Sequence, residues 1–115
     1  MSLYGKSNQD GFIFQEGEQT LLEKLANLFI GFESIGGKLK ITNKRVIFES
    51  HRVNLVIQKH GLDIEYGEIA SVGEKNFLGF IPNGIVVTTK TGQEYKFVVW
   101  GRGRILTTIR SFLNK

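Results

Sequence analysis

In several short segments between residues 37 and 99 apolar side chains recur at every second position, and after residue 100 they recur at helical spacing. That change of period constrains the fold more than any other feature. In Lys38-Leu39-Lys40-Ile41-Thr42 lysines and apolar residues alternate strictly, which places them on opposite faces of an extended strand. Asn43-Lys44 breaks the run and Val46-Ile47-Phe48-Glu49-Ser50 reads as the next strand. Residues 37–50 therefore predict a hairpin with its tip at 42–45, and Ser34-Ile35-Gly36-Gly37 reads as the turn before it. Residues 53–58 and 62–66 alternate around His60-Gly61 as a second hairpin. Residues 69–72 read as a short strand entering Gly73-Glu74-Lys75-Asn76, and residues 77–84 as an apolar loop holding the only proline. Residues 85–89 and 95–99 alternate around Thr91-Gly92 as a third hairpin.

Upstream, residues 18–32 fit two periods. Leu21, Leu22, Leu25 and Phe29 suit one helical face; Leu22, Ala26, Leu28, Ile30 and Phe32 suit a strand, with Lys24 as the exception. From Ala26 onward aromatic and β-branched residues favour the strand, and residues 18–25 remain open between the two. At the other end Ile105, Leu106, Ile109, Phe112 and Leu113 form a single stripe on a helix near 102–113, with Gly101 and Gly103 at its start.

About seven short strands in sequential hairpins, followed by one helix, give a mainly β fold. Such a sheet twists and curls, leaving an open end for the helix to cap. A length of 115 residues suits one domain. Residues 1–17 read as a leader and an irregular arm anchored by Phe12, Ile13 and Phe14, and residues 18–115 as the domain.

Cysteine is absent, which excludes disulfides, thiolate metal sites and cysteine nucleophiles. His51 and His60 stand nine residues apart without a carboxylate at ligand spacing, so no metal site is expected. Ser50 and His51 would point to opposite faces of a strand and cannot act as nucleophile and base. Gly101-Arg102-Gly103 opens a helix, but Leu106 stands where a dinucleotide loop needs its third glycine. It reads as a tight corner whose helix start retains free N–H groups for an anion. No catalytic constellation and no cofactor site is expected. With no apolar run of the ~18–20 residues a bilayer span needs, and no charged-then-apolar leader in residues 1–10, the expected setting is cytoplasmic.

The net charge of +4 is unevenly placed. Residues 38–59 and 90–115 each carry a net of +5, and residues 1–37 and 60–76 each carry −3. The basic blocks either solvate neighbouring faces or converge on one anion-binding surface. The candidate cations are Lys38, Lys40, Lys44, Arg45, Arg102 and Arg104. The apolar candidates are Phe77, Leu78, Phe80, Ile81 and Pro82, which either fold over the barrel edge or present a tip to a partner, and Trp100, expected half-buried on the face opposite Phe97 and Val99. The modest charge, and the lack of aromatics alternating with basic residues on one strand face, argue against nucleic acid.

Gly37-Lys38-Leu39-Lys40-Ile41-Thr42-Asn43-Lys44-Arg45-Val46-Ile47-Phe48-Glu49-Ser50 resembles the signature hairpin of the GRAM domain family. Residues 64–72, 85–92 and 95–97 resemble its later elements in order, so the likeness spans about residues 18–113. The resemblance implies a pleckstrin-homology-like barrel of about seven antiparallel strands in two near-orthogonal sheets, capped by the C-terminal helix. It also implies a non-catalytic binding module, with a protein or an anionic lipid surface as partner and peripheral attachment to the inner face of the membrane under the lipid reading. Lys38-x-Lys40 resembles the second half of a lipid-binding pattern whose last position is arginine. Lysine there loses the planar bidentate fork that grips phosphate. Carriage of a small apolar ligand in the barrel and weak nucleic-acid binding are the alternatives.

Overall fold

A computed structural model describes residues 13–54, 59–77 and 81–113. The strands are β1 (Thr20–Ile30), β2 (Glu33–Thr42), β3 (Arg45–Asn54), β4 (Lys59–Glu65), β5 (Ile69–Phe77), β6 (Ile81–Thr89) and β7 (Glu94–Val98). A 3-10 turn, Tyr66–Glu68, joins β4 to β5, and helix α1 (Arg102–Leu113) closes the chain. All pairings are antiparallel, in the order β4-β3-β2-β1-β7-β6-β5. The expected mainly β architecture with one C-terminal helix is therefore observed. Hydrogen bonding through β1 joins the two expected sheets into one continuous sheet.

The inward set is the one that alternation picks out: Leu28, Leu39, Ile41, Val46, Phe48, Ile85, Val87 and Phe97 are all buried. Phe48 and Phe97 meet with ring centroids 5.7 Å apart, filling the interior from the two halves of the sheet. Helix α1 packs on β5, β6 and the 3-10 turn. It buries Ile105, Leu106 and Ile109 as the helical stripe requires. The Phe112 ring stacks on Tyr66 at 4.6 Å between centroids, which fixes the end of the helix to the 3-10 turn.

Several turns differ from the sequence reading. Residues 20–30 are strand throughout: Ala26 and Leu28 are buried, whereas Leu21 and Leu25 of the helical reading face solvent. Lys24, the exception in the alternation, lies at the open end, its Nζ near Gly101. The turn assigned to residues 34–37 sits at Gly31-Phe32, where Gly31 takes φ 58°, the left-handed region that glycine tolerates. Gly37 belongs to β2, and a Cβ there would lie 2.8 Å from Phe48 Cζ, so glycine at this position serves close packing and not a turn. His60 and Gly61 lie within β4, whose pairing with β3 begins at Asn54↔Lys59. Residues 73–76 continue β5, and the loop expected at 77–84 shrinks because Phe77 pairs with Ile81.

Candidate functional site

The hairpin tip of β2 and β3, where the sequence placed its cations, is a closed polar network. Thr42 Oγ1 accepts the N–H groups of Lys44 and Arg45, both at 3.0 Å, and donates to Glu18 Oε2 at 2.7 Å. Asn43 grips the incoming chain twice: Oδ1 accepts the Gln19 N–H at 2.7 Å and Nδ2 donates to the Gly17 carbonyl at 3.1 Å. Arg45 is 7% exposed. Its Nε donates to Glu18 Oε2 at 2.9 Å, its Nη1 to Asp63 Oδ2 at 2.9 Å and its Nη2 to the Ile13 carbonyl at 3.0 Å. Tyr66 Oη closes the ring with a 2.6 Å bond to the Thr42 carbonyl.

These contacts fix the charges. Burial opposes ionisation of Glu18. The hydrogen bonds from Arg45, the Gln15 N–H and Thr42, with the Arg45 charge, outweigh it and hold the carboxyl below its ordinary value. Burial likewise opposes the Arg45 charge, and Glu18 and Asp63 reverse the effect. Burial pushes the Tyr66 phenol up, with the Glu18 charge adding to it.

Residues 13–18 thus form a strap across the outer face of the hairpin. Ile47 explains why one is needed. It points away from the inward pair Val46 and Phe48, yet it is fully buried and stands outside the core cluster. The Phe14 ring lies 6.0 Å from Lys40 Nζ on the same outer face.

The six candidate cations do not form one site. Arg45 is buried structure, because a guanidinium among two carboxylates and a carbonyl has no fork left for a ligand. Lys40 pairs with Glu49 at 2.7 Å, with its side chain only 14% exposed. Arg102 staples the end of the barrel: its Nη1 donates to the carbonyls of Lys75 and Gly84 and to Asn76 Oδ1. Lys38 is exposed and loosely paired with Glu23 at 3.7 Å. Lys44 and Arg104 are exposed, and no ion pair involves them among the described residues.

Of the apolar candidates, Leu78 and Phe80 lie outside the described residues, as do the side chains of Phe77, Ile81 and Pro82. Trp100 is not half-buried but 68% exposed. The strand ends at Val98 and the ring follows the corner at Gly101 (φ 76°) outward. With Leu25, 71% exposed, it borders an open groove of about 400 Å³ over β7, β1 and β2. Phe32, at the β1–β2 turn, is fully exposed. The sequence reading missed Leu25 and Phe32, because each carried apparent inward periodicity. The signal that finds them is their position on the strand: Leu25 is odd-numbered beside the inward pair Ala26 and Leu28, and Phe32 falls in a two-residue turn. Among the described residues no group of three or more His, Cys, Asp or Glu gathers for a metal, and no helix is long and apolar enough to cross a membrane.

The strand order and the capping helix define a pleckstrin-homology-like fold. The chain is similar to the C-terminal domain of an unknown protein from Leishmania infantum, with TM-score 0.73 and 22% identity over 86% of this chain and 87% of that one. It is also similar to the Vps36 N-terminal PH domain, with TM-score 0.68 and 16% identity over 97% of this chain and 95% of that one. At these identities the likeness is one of fold. No family model and no curated protein matches the chain.

Proposed function

We propose that the chain is a binding module of the GRAM type that docks on another protein and carries no chemistry of its own. The observation that carries this reading is the fate of the basic hairpin. Arg45 and Lys40 are consumed by internal ion pairs, while Leu25 and Trp100 stand exposed around an open groove. Exposed large apolar side chains gathered at one concavity are what a protein interface uses. Cations already neutralised add little to attraction toward an anionic membrane. The packing of Phe48 on Phe97 supports surface binding over carriage of a ligand inside the barrel.

Sedimentation with phosphatidylserine vesicles at low and physiological salt tests the choice. The variant to compare is Lys38/Lys44/Arg104→Glu, which changes exposed cations and leaves Arg45 in place. Wild type and variant should both stay in the supernatant at physiological salt. Salt-sensitive pelleting of the wild type that the variant abolishes would move the function to a peripheral anionic-membrane module. Turnover that persists through purification and disappears on a single substitution would overturn the non-catalytic part.

A further inference from the structure

We propose that the open edge of β1 between Thr20 and Ala26 receives an extended acidic segment of a partner protein, with one apolar side chain of that segment seated between Leu25 and Trp100. The inference rests on the protein-docking reading above and names its surface and partner chemistry.

The edge follows from two unequal ladders. β1 pairs with β2 from Ile30↔Glu33 back to Thr20↔Thr42, but with β7 only over Asn27–Phe29. Among the described residues no strand pairs with the β7 side of residues 20–26. Their alternate N–H and C=O groups form an unfilled ladder, the template that strand addition uses. At the far end of the sheet β5 is treated differently. Helix α1 packs on it, and its Val72 and Lys75 carbonyls accept hydrogen bonds from Arg110 and Arg102. The β5 edge is blunted by arginines, whereas residues 20–26 of the interior strand β1 have no strand partner on the β7 side among the described residues and lie beside exposed leucine and tryptophan.

The groove lies where the β7 ladder gives out. Its floor includes Gly36 and Gly37, and Val98, Leu25 and Trp100 stand around it. A concave site with a glycine floor suits one inserted side chain better than the flat plane of a bilayer.

The charges around it set the partner's sign. Lys38 stands directly across from Leu25 in the β1–β2 register. Lys24 Nζ lies beside Gly101, next in the chain to Trp100. Lys96 pairs with Phe29, two positions along the ladder from the Asn27↔Val98 pair that borders the open stretch. Lys24 and Lys96 make no ion pair among the described residues, and Lys38 holds Glu23 at 3.7 Å in an exposed contact that a competing carboxylate can displace. A basic segment would meet all three lysines, whereas an acidic one complements them.

The experiment selects phage-displayed random peptides on the intact chain and counter-selects on a Trp100→Asp variant. The enriched peptides are synthesised and titrated. They should share an apolar or aromatic residue flanked by Asp or Glu. Trp100→Asp and Lys24→Glu should each weaken binding about tenfold or more, and the distant Lys44→Glu should not. N-methylation along the peptide should disrupt binding at every second amide, the period of a paired strand, and amide NMR shifts should centre on residues 20–26. The melting temperatures of the variants, all at exposed positions, should match wild type. Enriched peptides that bind at another edge, or that lack the period-two pattern, overturn this inference and leave the docking reading standing. Failure to enrich any peptide also overturns it. If the chain then pellets with vesicles of phosphatidylcholine and phosphatidylserine, the docking reading falls with it.

Discussion

The β2–β3 hairpin tip and the β1 edge use their residues in opposite ways. At the tip, Glu18, Thr42, Asn43, Arg45 and Asp63 look in sequence like exposed polar residues around a turn; in the fold Glu18, Thr42, Arg45 and Asp63 are joined to one another and Asn43 to the backbone of Gly17 and Gln19. At the β1 edge, Leu25 looks in sequence like part of a buried helical stripe and Trp100 like a half-buried strand end, and both are exposed. The reason is topological. A two-residue turn and an irregular incoming strap both leave backbone groups without ladder partners, and buried backbone groups must be satisfied. Thr42 and Asn43 supply the missing partners, and Arg45 neutralises the carboxylate the strap brings in. Among the described residues no strap crosses the β1 edge, and no comparable network draws polar residues into structure there. The motif-like tip builds the fold, and the plain strand keeps exposed apolar side chains.

The largest expected effect is at the tip. Arg45→Met should strand the Glu18 carboxylate, itself 8% exposed, without its main partner. Breaking a buried pair in this way costs about 3–5 kcal/mol, which is a large share of a small domain's stability. At about 4 °C per kcal/mol the melting temperature should drop by roughly 10–20 °C. A drop of a degree or two would mean that the network is ornamental and the tip is available as a surface after all.

Gly37→Ala comes next, and it tests the groove floor from beneath. The added Cβ would meet Phe48 Cζ at 2.8 Å, Ser50 Cα at 2.9 Å and the Glu49 carbonyl. Two of these are backbone and cannot yield cheaply, so overpacking should cost about 1–3 kcal/mol in thermal or urea unfolding. Thr42→Val should cost about 1–2 kcal/mol, because the Lys44 and Arg45 N–H groups lose their acceptor and Glu18 loses a donor.

How much of this could be read from the sequence divides along the same line. Alternation located the β2–β3 and β6–β7 hairpins, and the helical stripe located α1, because burial on one face writes a period that one chain carries by itself. The turns at 34–37, 60–61 and 73–76 were misplaced, because glycine there signals close packing or a tolerated strand position as readily as a bend. Gly37 is the clear case. The pairing of Arg45 with Glu18 and Asp63 was not legible, since its members lie 27 and 18 residues away and only the register brings them together. The exposure of Leu25 was illegible for a different reason. It depends on the β1–β7 ladder stopping at Asn27, and no local pattern announces where a ladder stops.

Acidification gives a smaller effect with a definite sign. The Glu18 carboxyl is held below its ordinary value in the folded state. Its contribution is therefore complete above that value and is lost as pH falls through the depressed folded value. The wild-type melting temperature should fall between about pH 5 and pH 3. In Arg45→Met, burial without the guanidinium pushes the carboxyl the other way. Protonation then favours the folded state, and the variant should lose less over the same interval. Parallel slopes in the two proteins would show that the acid sensitivity comes from elsewhere.

The smallest effect is the one that most sharply separates the two regions. Leu25→Ser removes a large apolar side chain from a strand centre, a change that in a core costs about 2–5 kcal/mol. Leu25 is 71% exposed, and its neighbour across the sheet is the lysine stem of Lys38. Little apolar area is therefore lost from contact, and serine costs only a few tenths of a kcal/mol in strand propensity. Stability should change by no more than about 0.5 kcal/mol in either direction. Solubility should rise, because one wall of an exposed apolar groove is gone. A loss above about 2 kcal/mol would place Leu25 under some cover within the chain itself, and the β1 edge would then be strapped like the hairpin tip. A neutral result in the free protein, together with weakened binding of an acidic peptide, is the pairing that a docking edge requires and a core position cannot give.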